Sequence, residues 1–522
     1  MRDQVITRRR VLAVLGVTSA GALLAACGQE AAPTQAPAKP AEKPAEKPAE
    51  KPAAAAPAPT KPPEAAKPAE APKPTEAAKP AEAKPAGAAP AKAGAASGKV
   101  FWLVRSTPQE NKGQETVFEP MIKEKLPNVQ IERVIVPGNQ YIPKINSMAA
   151  AKEPLEIWGF GGNYFDYWAR GLTQDLTGYI NGDNWDVNKY FQEGLMDIFK
   201  VKGKYYGVAQ LTTFGSITAY NKDLFKAAGL PNLPVKWDDP SWTMDKLLEY
   251  STKLTKNAGK PDAVYGVNLA LWSRMTSLPY LWGGDAWLPE HYTNTIAPKT
   301  NFNSPEVIES HQFQQDLIWK HKVHPDPGTL QAMAALQDPF KTGKVGMALD
   351  GGWTFWSLSD IKEFKLGYAA LPRQKSNKHI NFDDFWIIGR WAQNKDAAWQ
   401  VIRVITSVDA TTKYSVQSGT PPTPRESLKP WLESVSKYAD MSIEELTTLT
   451  TGAVDPKIAQ ESPDHLFLQH PKISDTYDNA VRDPIMNNQA TAKDHISTKG
   501  VQTMDEVVKG IYDQFKDSLP KE

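Results

Sequence analysis

Val100-Phe101-Trp102-Leu103-Val104 is an unbroken apolar run, followed by a helix-like stretch near Glu115 to Lys125 and then by Ile131-Glu132-Arg133-Val134-Ile135-Val136. Consecutive apolar residues mark a strand buried on both faces, because a strand with one wet face would alternate. Leu155-Glu156-Ile157-Trp158 reads as a third strand. The β-α-β order predicts an α/β fold with an open, mostly parallel sheet. Further along, Asn221 precedes Lys222 to Ala228 with Gly229 as a stop, and Ser304-Pro305-Glu306 starts a helix with proline in its first turn. Asn394 opens another, whose Ala398, Val401, Ile402 and Ile405 share one apolar face. No repeat of 20–50 residues is visible in this part.

Upstream the composition changes completely. Arg8-Arg9-Arg10 and the apolar stretch Val11 to Leu24 have the build of an export signal, too short to span a bilayer as a helix. Thr7-Arg8-Arg9-Arg10-Val11-Leu12 resembles the twin-arginine signal. Cys27, the single cysteine of 522 residues, closes the tetrad Leu24-Ala25-Ala26-Cys27. A thiol there is expected to carry lipid, which would anchor the chain on the outer face of a bacterial cell membrane. Residues 1–26 are then the signal peptide, and residues 27–98 the lipidated cysteine with its tether. From Gly28 to Lys99 no Val, Ile, Leu, Met, Phe, Trp or Tyr occurs. Such a chain buries too little apolar surface to offset the entropy of ordering. At ~3.1 Å per residue in polyproline II, about 70 residues reach roughly 200 Å at full stretch.

Beyond the tether lie some 420 residues, about 98 to 522, too many for one compact core and suited to two lobes. Taking residues 1–26 from the 60 basic and 59 acidic residues removes four arginines and one aspartate, leaving 56 and 58. A near-neutral chain gives nucleic acid or anionic lipid no basic surface to grip. With Cys27 lipidated no disulfide can form, so packing alone holds the fold.

A series of short segments then carries a resemblance. In order they are Gly203-Lys204-Tyr205-Tyr206-Gly207-Val208; Ala219-Tyr220-Asn221-Lys222-Asp223-Leu224-Phe225 with Gly229-Leu230; Trp242-Thr243-Met244-Asp245; Trp282-Gly283-Gly284-Asp285; Phe302-Asn303-Ser304-Pro305-Glu306; Phe340-Lys341-Thr342-Gly343-Lys344-Val345-Gly346-Met347-Ala348; Asp350-Gly351-Gly352-Trp353; Ala397-Ala398-Trp399; and Ser418-Gly419-Thr420-Pro421-Pro422. Together they resemble extracellular solute-binding protein family 1, the substrate-binding lipoproteins of ABC importers, typified by sugar binders. The resemblance runs from about Val100 to Pro424; the region after Pro430 matches poorly. It implies a two-lobe periplasmic-binding-protein fold of type II, maltose-binding-like. The expected lobes are 99–210 with 372–415, and 211–371 with 416–522. Solute would sit in the cleft, lobes closing around it, and a membrane permease would be the partner. The receptor is expected to act as a monomer, without cofactor or metal, and not as an enzyme.

Ligands of open α/β sheets lie beyond the carboxyl ends of strands. Three glycine-rich turns fit that place: Trp158 to Tyr164 after the third strand, Asp350 to Trp356 after the strand Val345 to Leu349, and Gly283 to Trp287 after the apolar run Leu278 to Trp282. Sixteen tryptophans, with Trp158, Trp272, Trp282, Trp287, Trp353, Trp356 and Trp386 near these turns, favour a sugar or oligosaccharide. A pyranose packs its C–H face on an indole while its hydroxyls reach carboxylates and amides. Trp353 leads the candidates, because its Gly-x-Trp turn resembles the one that stacks sugar in maltose-type binders. Gly162 and Asn163 match positions where the family's first lobe hydrogen-bonds solute. Trp272, Asp383, Asp384, Asp350, Arg105 and Ser106 complete the set, the two aspartates standing just before the strand Phe385 to Ile388.

Catalytic signals are sparse. No Gly-x-Ser-x-Gly elbow occurs and no free cysteine is available. His321 and His324, without a third ligand, read as surface histidines rather than a metal site. Asn181-Gly182-Asp183-Asn184-Trp185-Asp186 lacks the final glutamate of a calcium loop and reads as a plain loop. Two alternatives stay open: an anchored carbohydrate-active enzyme, and a binder of another small solute (polyol, glycerol-phosphate ester or peptide) without transport.

Overall fold

The computed structural model describes residues 96–159, 164–271 and 274–517, all within one compact unit, Lys84–Glu522. Cys27, the signal and the tether as far as residue 95 lie outside the described residues, as do Gly162, Asn163 and Trp272, whereas Ala96 is already buried in the first core and Gly98 opens β1, so the folded part starts slightly before the expected tether end at 98. The strands in chain order are β1 Gly98–Arg105, β2 Val129–Val136, β3 Ile157–Gly159, β4 Lys200–Val201, β5 Lys204–Tyr205, β6 Val208–Thr212 and β7 Ser216–Asn221, continuing with β8 Tyr265–Leu269, β9 Val345–Gly351, β10 Leu366–Ala369, β11 His379–Asn381, β12 Asp383–Ile388 and β13 Ala459–Glu461.

Two sheets organise the molecule. The first has the order β2-β1-β3-β12-β6, the second β10-β7-β9-β8. β1 runs parallel to β2 and β3, as the β-α-β reading requires, but β12 is antiparallel to both β3 and β6. In the second sheet only β8 and β9 are parallel. Each sheet is therefore mostly parallel in strand direction, as expected, with one reversed strand, β12 in the first and β7 in the second. The reversals come from strands that enter a sheet directly from the other lobe, with no crossover helix to turn them round.

Each sheet has its own core. Trp102, Leu103, Ile157, Trp158, Phe385, Ile387 and Trp399 pack around the first; Ile217, Val267, Met347, Tyr368 and Trp431 around the second. The apolar face expected on the Asn394 helix is present in Lys395–Ile405, though the Asn394 amide donates to Lys99 O (2.8 Å) rather than capping the helix. Asn221 caps Lys222–Ala227 through Asp223 N and Leu224 N, and Ser304 caps Pro305–Trp319 through Val307 N.

The chain after Pro430 is well packed. Leu428–Val435 and Ile443–Ala453 complete the second core with Trp431, Leu432, Leu446 and Leu449. The remaining helices, through Val501–Phe515, build a third apolar cluster with Met275, Trp287, Phe302 and Ile318, joined by Phe165. Among the described residues no helix is long and apolar enough to cross a membrane.

Among the described residues the chain passes between the lobes in three places. Thr213-Phe214-Gly215 joins β6 to β7, Phe382 joins β11 to β12, and Gly419 follows the helix Val408–Ser418 toward Leu428–Val435. The first two crossings are tied together: Thr213 N and Thr213 Oγ1 both donate to Phe382 O at 2.9 Å. Gly352 N donates to Gly215 O at 2.9 Å, and a Cβ on Gly352 would run into Thr213 O. Gly215 has φ +72° and Phe214 φ +53°. A bulky residue in that region is strained by about 1–3 kcal/mol. Phe214 is held there because its ring is buried, stacked on Trp431 at 5.4 Å.

Candidate functional site

The carboxyl end of β1 presents Arg105 and Ser106. Arg105 is clamped at two points by Glu110, from Nε at 2.7 Å and Nη2 at 2.6 Å, and Nη2 stands 3.5 Å from Asp384 Oδ2. Burial opposes the guanidinium charge, but Glu110 and then Asp384 outweigh it and push its pKa above the ordinary value. Glu110 and Asp384 are themselves buried. Arg105 is thus fixed by the protein before any solute arrives. Ser106 beside it is exposed, with its N–H bonded to Val136 O at 2.7 Å. The backbone is braced here as well: the buried Tyr141 hydroxyl lies 3.0 Å from Leu103 O and accepts from Gly159 N at 3.1 Å, tying β1 to β3.

Asp383 and Asp384 lie inside β12, not before it, and so point to opposite sides. Asp384 faces Arg105. Asp383 faces the other way, accepting from Asn381 Nδ2 at 2.7 Å in a buried pocket that also holds Glu461. Burial first, then the Glu461 carboxylate, raises its pKa well above the usual carboxylate range.

The second lobe contributes Trp353. It is half-buried on the turn Gly351-Gly352, whose first glycine could not carry a Cβ without meeting the indole. Its ring lies 6.1 Å from Phe382 in a cluster with Tyr280 and Ile380. Phe382 and Asp384 are two residues apart at the second crossing, so an aromatic wall and a charged pair share one side of the hinge. Tyr280 and Tyr292 hydroxyls are 3.0 Å apart, and Tyr292 donates to Asp285 Oδ2 at 2.8 Å. Burial raises the Asp285 pKa. Asp350, next to last in β9, accepts from Gly351 N at 2.8 Å, as a turn cap would.

Most of the expected ring lining is absent. Trp158, Trp282, Trp287, Trp356 and Trp386 are buried in the cores. Trp158 packs on Tyr167 and Trp391, Trp386 on Trp102, and the Trp287 indole donates to Thr276 Oγ1 at 3.2 Å. The run Leu278 to Trp282 is the end of a helix, Arg274–Leu281, and not a strand. A short apolar run has the same signature in either state. Glu110, Tyr280, Tyr292 and Phe382 are the site residues that sequence reasoning missed. Glu110, in the first turn of the helix Pro108–Gly113 that follows β1, was the one with a visible signal.

The remaining loop candidates have structural partners. Asp183 accepts from Trp399 Nε1 and Arg403 Nε, and Asp186 caps Val187–Tyr190. His321 is exposed, but His324 is buried beside Pro325 O (2.6 Å) rather than on the surface. Among the described residues no group of three or more His, Cys, Asp or Glu could hold a metal ion.

A family model described as bacterial extracellular solute-binding protein matches residues 109–412. A Brucella abortus protein named only as a binding protein is 25% identical over 313 residues, covering 58% of this chain and 71% of its own. The fold is similar to the ABC substrate-binding protein of Listeria monocytogenes in complex with cycloalternan, with TM-score 0.65 and 19% identity, over 80% of this chain and 99% of that one. Maltose-bound MalE3 of T. maritima gives 0.62 at 19% identity, over 79% and 99%. A solute-binding protein of Thermotoga lettingae bound with α-D-tagatose gives 0.63 at 19% identity, over 79% and 100%.

Proposed function

Since this chain belongs to the bacterial extracellular solute-binding proteins, we propose that it is the receptor of an ABC importer and takes a sugar or oligosaccharide between its lobes. The observation that carries the reading is Trp353, a half-buried indole at the hinge, beside Phe382 and Tyr280 and on the side that carries Arg105 and Asp384. An aromatic face with charged and hydroxyl groups around it suits a pyranose, which has an apolar face and a polar rim. Sugar-bound proteins of the same fold support it.

In this reading, solute bridges the lobes and shifts the population toward the closed form, which docks on a permease that is a separate chain. The crossings Thr213–Gly215, Phe382 and Gly419 are the proposed hinge. Cys27 is the proposed lipid attachment, and residues 28–95 the proposed tether. Asn163, Gly162 and Trp272 are proposed to complete the cleft. Calorimetry against mono- and oligosaccharides tests the receptor reading. Saturable binding with the sugar recovered intact is the expected result; a chromatographic product would favour the anchored enzyme instead, and no binding to any sugar would remove the carbohydrate assignment.

A further inference from the structure

After the third crossing the chain belongs to the second lobe, yet one stretch of it reaches back to the first. β13 sets out paired with β11, and Ser462 N donates to Asn381 O at 3.0 Å. Ala459 and Glu461 line a cavity of about 940 Å³ behind the hinge, so the stretch starts from the hinge itself. Glu461 is hydrogen-bonded to Asp383 of β12, whose buried carboxyl keeps its proton, and to His465 Nδ1. His465, on the short helix Pro463–Leu466, is 3% exposed. It sits among three rings of the first core, Phe385 at 5.8 Å, Phe199 at 6.2 Å and Tyr164 at 6.3 Å. Two residues on, Phe467 is fully buried among rings of the second lobe, His291 and Tyr292 at 5.0 Å and Trp287 at 5.3 Å. Leu468 N donates to Thr295 O at 2.9 Å and fixes the return.

A buried ring in each lobe, with one residue between them, leaves almost no slack. Whatever the backbone does, the Cα atoms of His465 and Phe467 cannot stand more than about 7 Å apart. The two ring pockets can therefore separate only slightly before one ring must come out. We propose that residues 459–468 are a strap that limits how far the lobes open when no solute is bound, with His465 as its catch in the first lobe. The three crossings let the lobes turn, and the strap sets the range. A narrower range keeps more of the population competent to bind. The strap lies beyond residues 109–412, the part matched by the family model.

The restraint is a property of the solute-free protein, so its test does not depend on what the cleft binds. Double electron–electron resonance on the full chain reads the distance between the lobes. Labels go on Asn181→Cys in the helix Thr177–Gly182 and Lys253→Cys in the helix Met244–Leu254, both exposed, with Cys27→Ser to prevent a third. Without solute, the intact strap is expected to give one narrow distribution. His465→Ala should broaden it and move it to longer distances, and Glu461→Gln, which loosens the catch without removing its ring, should do so less. Should His465→Ala fail to fold, Phe467→Ala, which frees the return leg, decides. A broad distribution with the strap intact overturns the proposal, as does one unchanged by these substitutions. A move to shorter distances also overturns it, since the stretch would then be a prop holding the lobes apart.

Discussion

Trp353 and Arg105 illustrate two different duties of residues at one cleft. Trp353 is half-buried and rests on a glycine turn, so most of what it loses by truncation is contact with solute. Trp353→Ala is expected to weaken a bound sugar by about 1–3 kcal/mol, roughly tenfold to a hundredfold, with little change in melting temperature. Equal loss of both would identify it as a core residue. Arg105 behaves otherwise, because Glu110 and Asp384 are buried and depend on its charge. Removing one member of a buried ion network typically costs about 3–5 kcal/mol. Arg105→Met should therefore lower denaturant stability by about that amount, before any sugar is added. At this scale the sequence was only partly legible. Trp353 sat in a recognisable turn and Arg105 at the end of a recognisable strand. Asp383 and Asp384 looked interchangeable, and only strand placement separates one facing Arg105 from one facing Glu461. Tyr280 and Phe382 carried no signal, since an aromatic in a buried run looks the same whether its edge meets core or cleft.

The elements that matter most are the short segments at the crossings. β11 pairs with β13 in a small parallel sheet just behind them. His379 of β11 is buried there, stacked on Trp237 at 4.1 Å and donating through Nε2 to Ala453 O at 2.8 Å. Burial drives its pKa down from 6.5 to about 4. A histidine held neutral in the fold binds fewer protons than in the unfolded chain between those values, so stability rises with pH in that window. Its contribution is complete above about pH 6.5 and is lost as pH falls toward 4, about 3 kcal/mol in all. Thermal melts between pH 7 and 4 check this: the chain should lose stability over the window, and His379→Gln should flatten the slope. Strands and helices were legible here wherever a period or a cap was clear, as at Asn221 and Ser304. The helix Arg274–Leu281 was not, because its apolar end is shorter than two helical turns.

At the scale of the whole molecule, the two lobes were legible from length, from the strand–helix alternation and from the series of family segments. The single reversed strand in each sheet was not, because strand direction depends on which lobe the chain has come from. Nor was the third apolar cluster, whose Phe165 and Trp287 lie far from Tyr477 and Ile511 in sequence. Each of the two sheets keeps its own core, so solute binding is expected to move them nearly as rigid bodies, with any adjustment falling where Phe165 meets the third cluster. Small-angle X-ray scattering with saturating sugar should show a smaller radius of gyration, with an unchanged far-ultraviolet circular dichroism spectrum. An unchanged radius would count against closure.

Asn381 and Asp383 look one way from the hinge, Phe382 and Asp384 the other. A single peptide segment therefore forms a wall of both chambers, and a guest on either side meets the same backbone. If occupancy on one side alters affinity on the other by some factor, thermodynamic reciprocity requires the same factor in reverse. Anything that filled the cavity behind the hinge would then tune how tightly the lobes close on a solute in front of it.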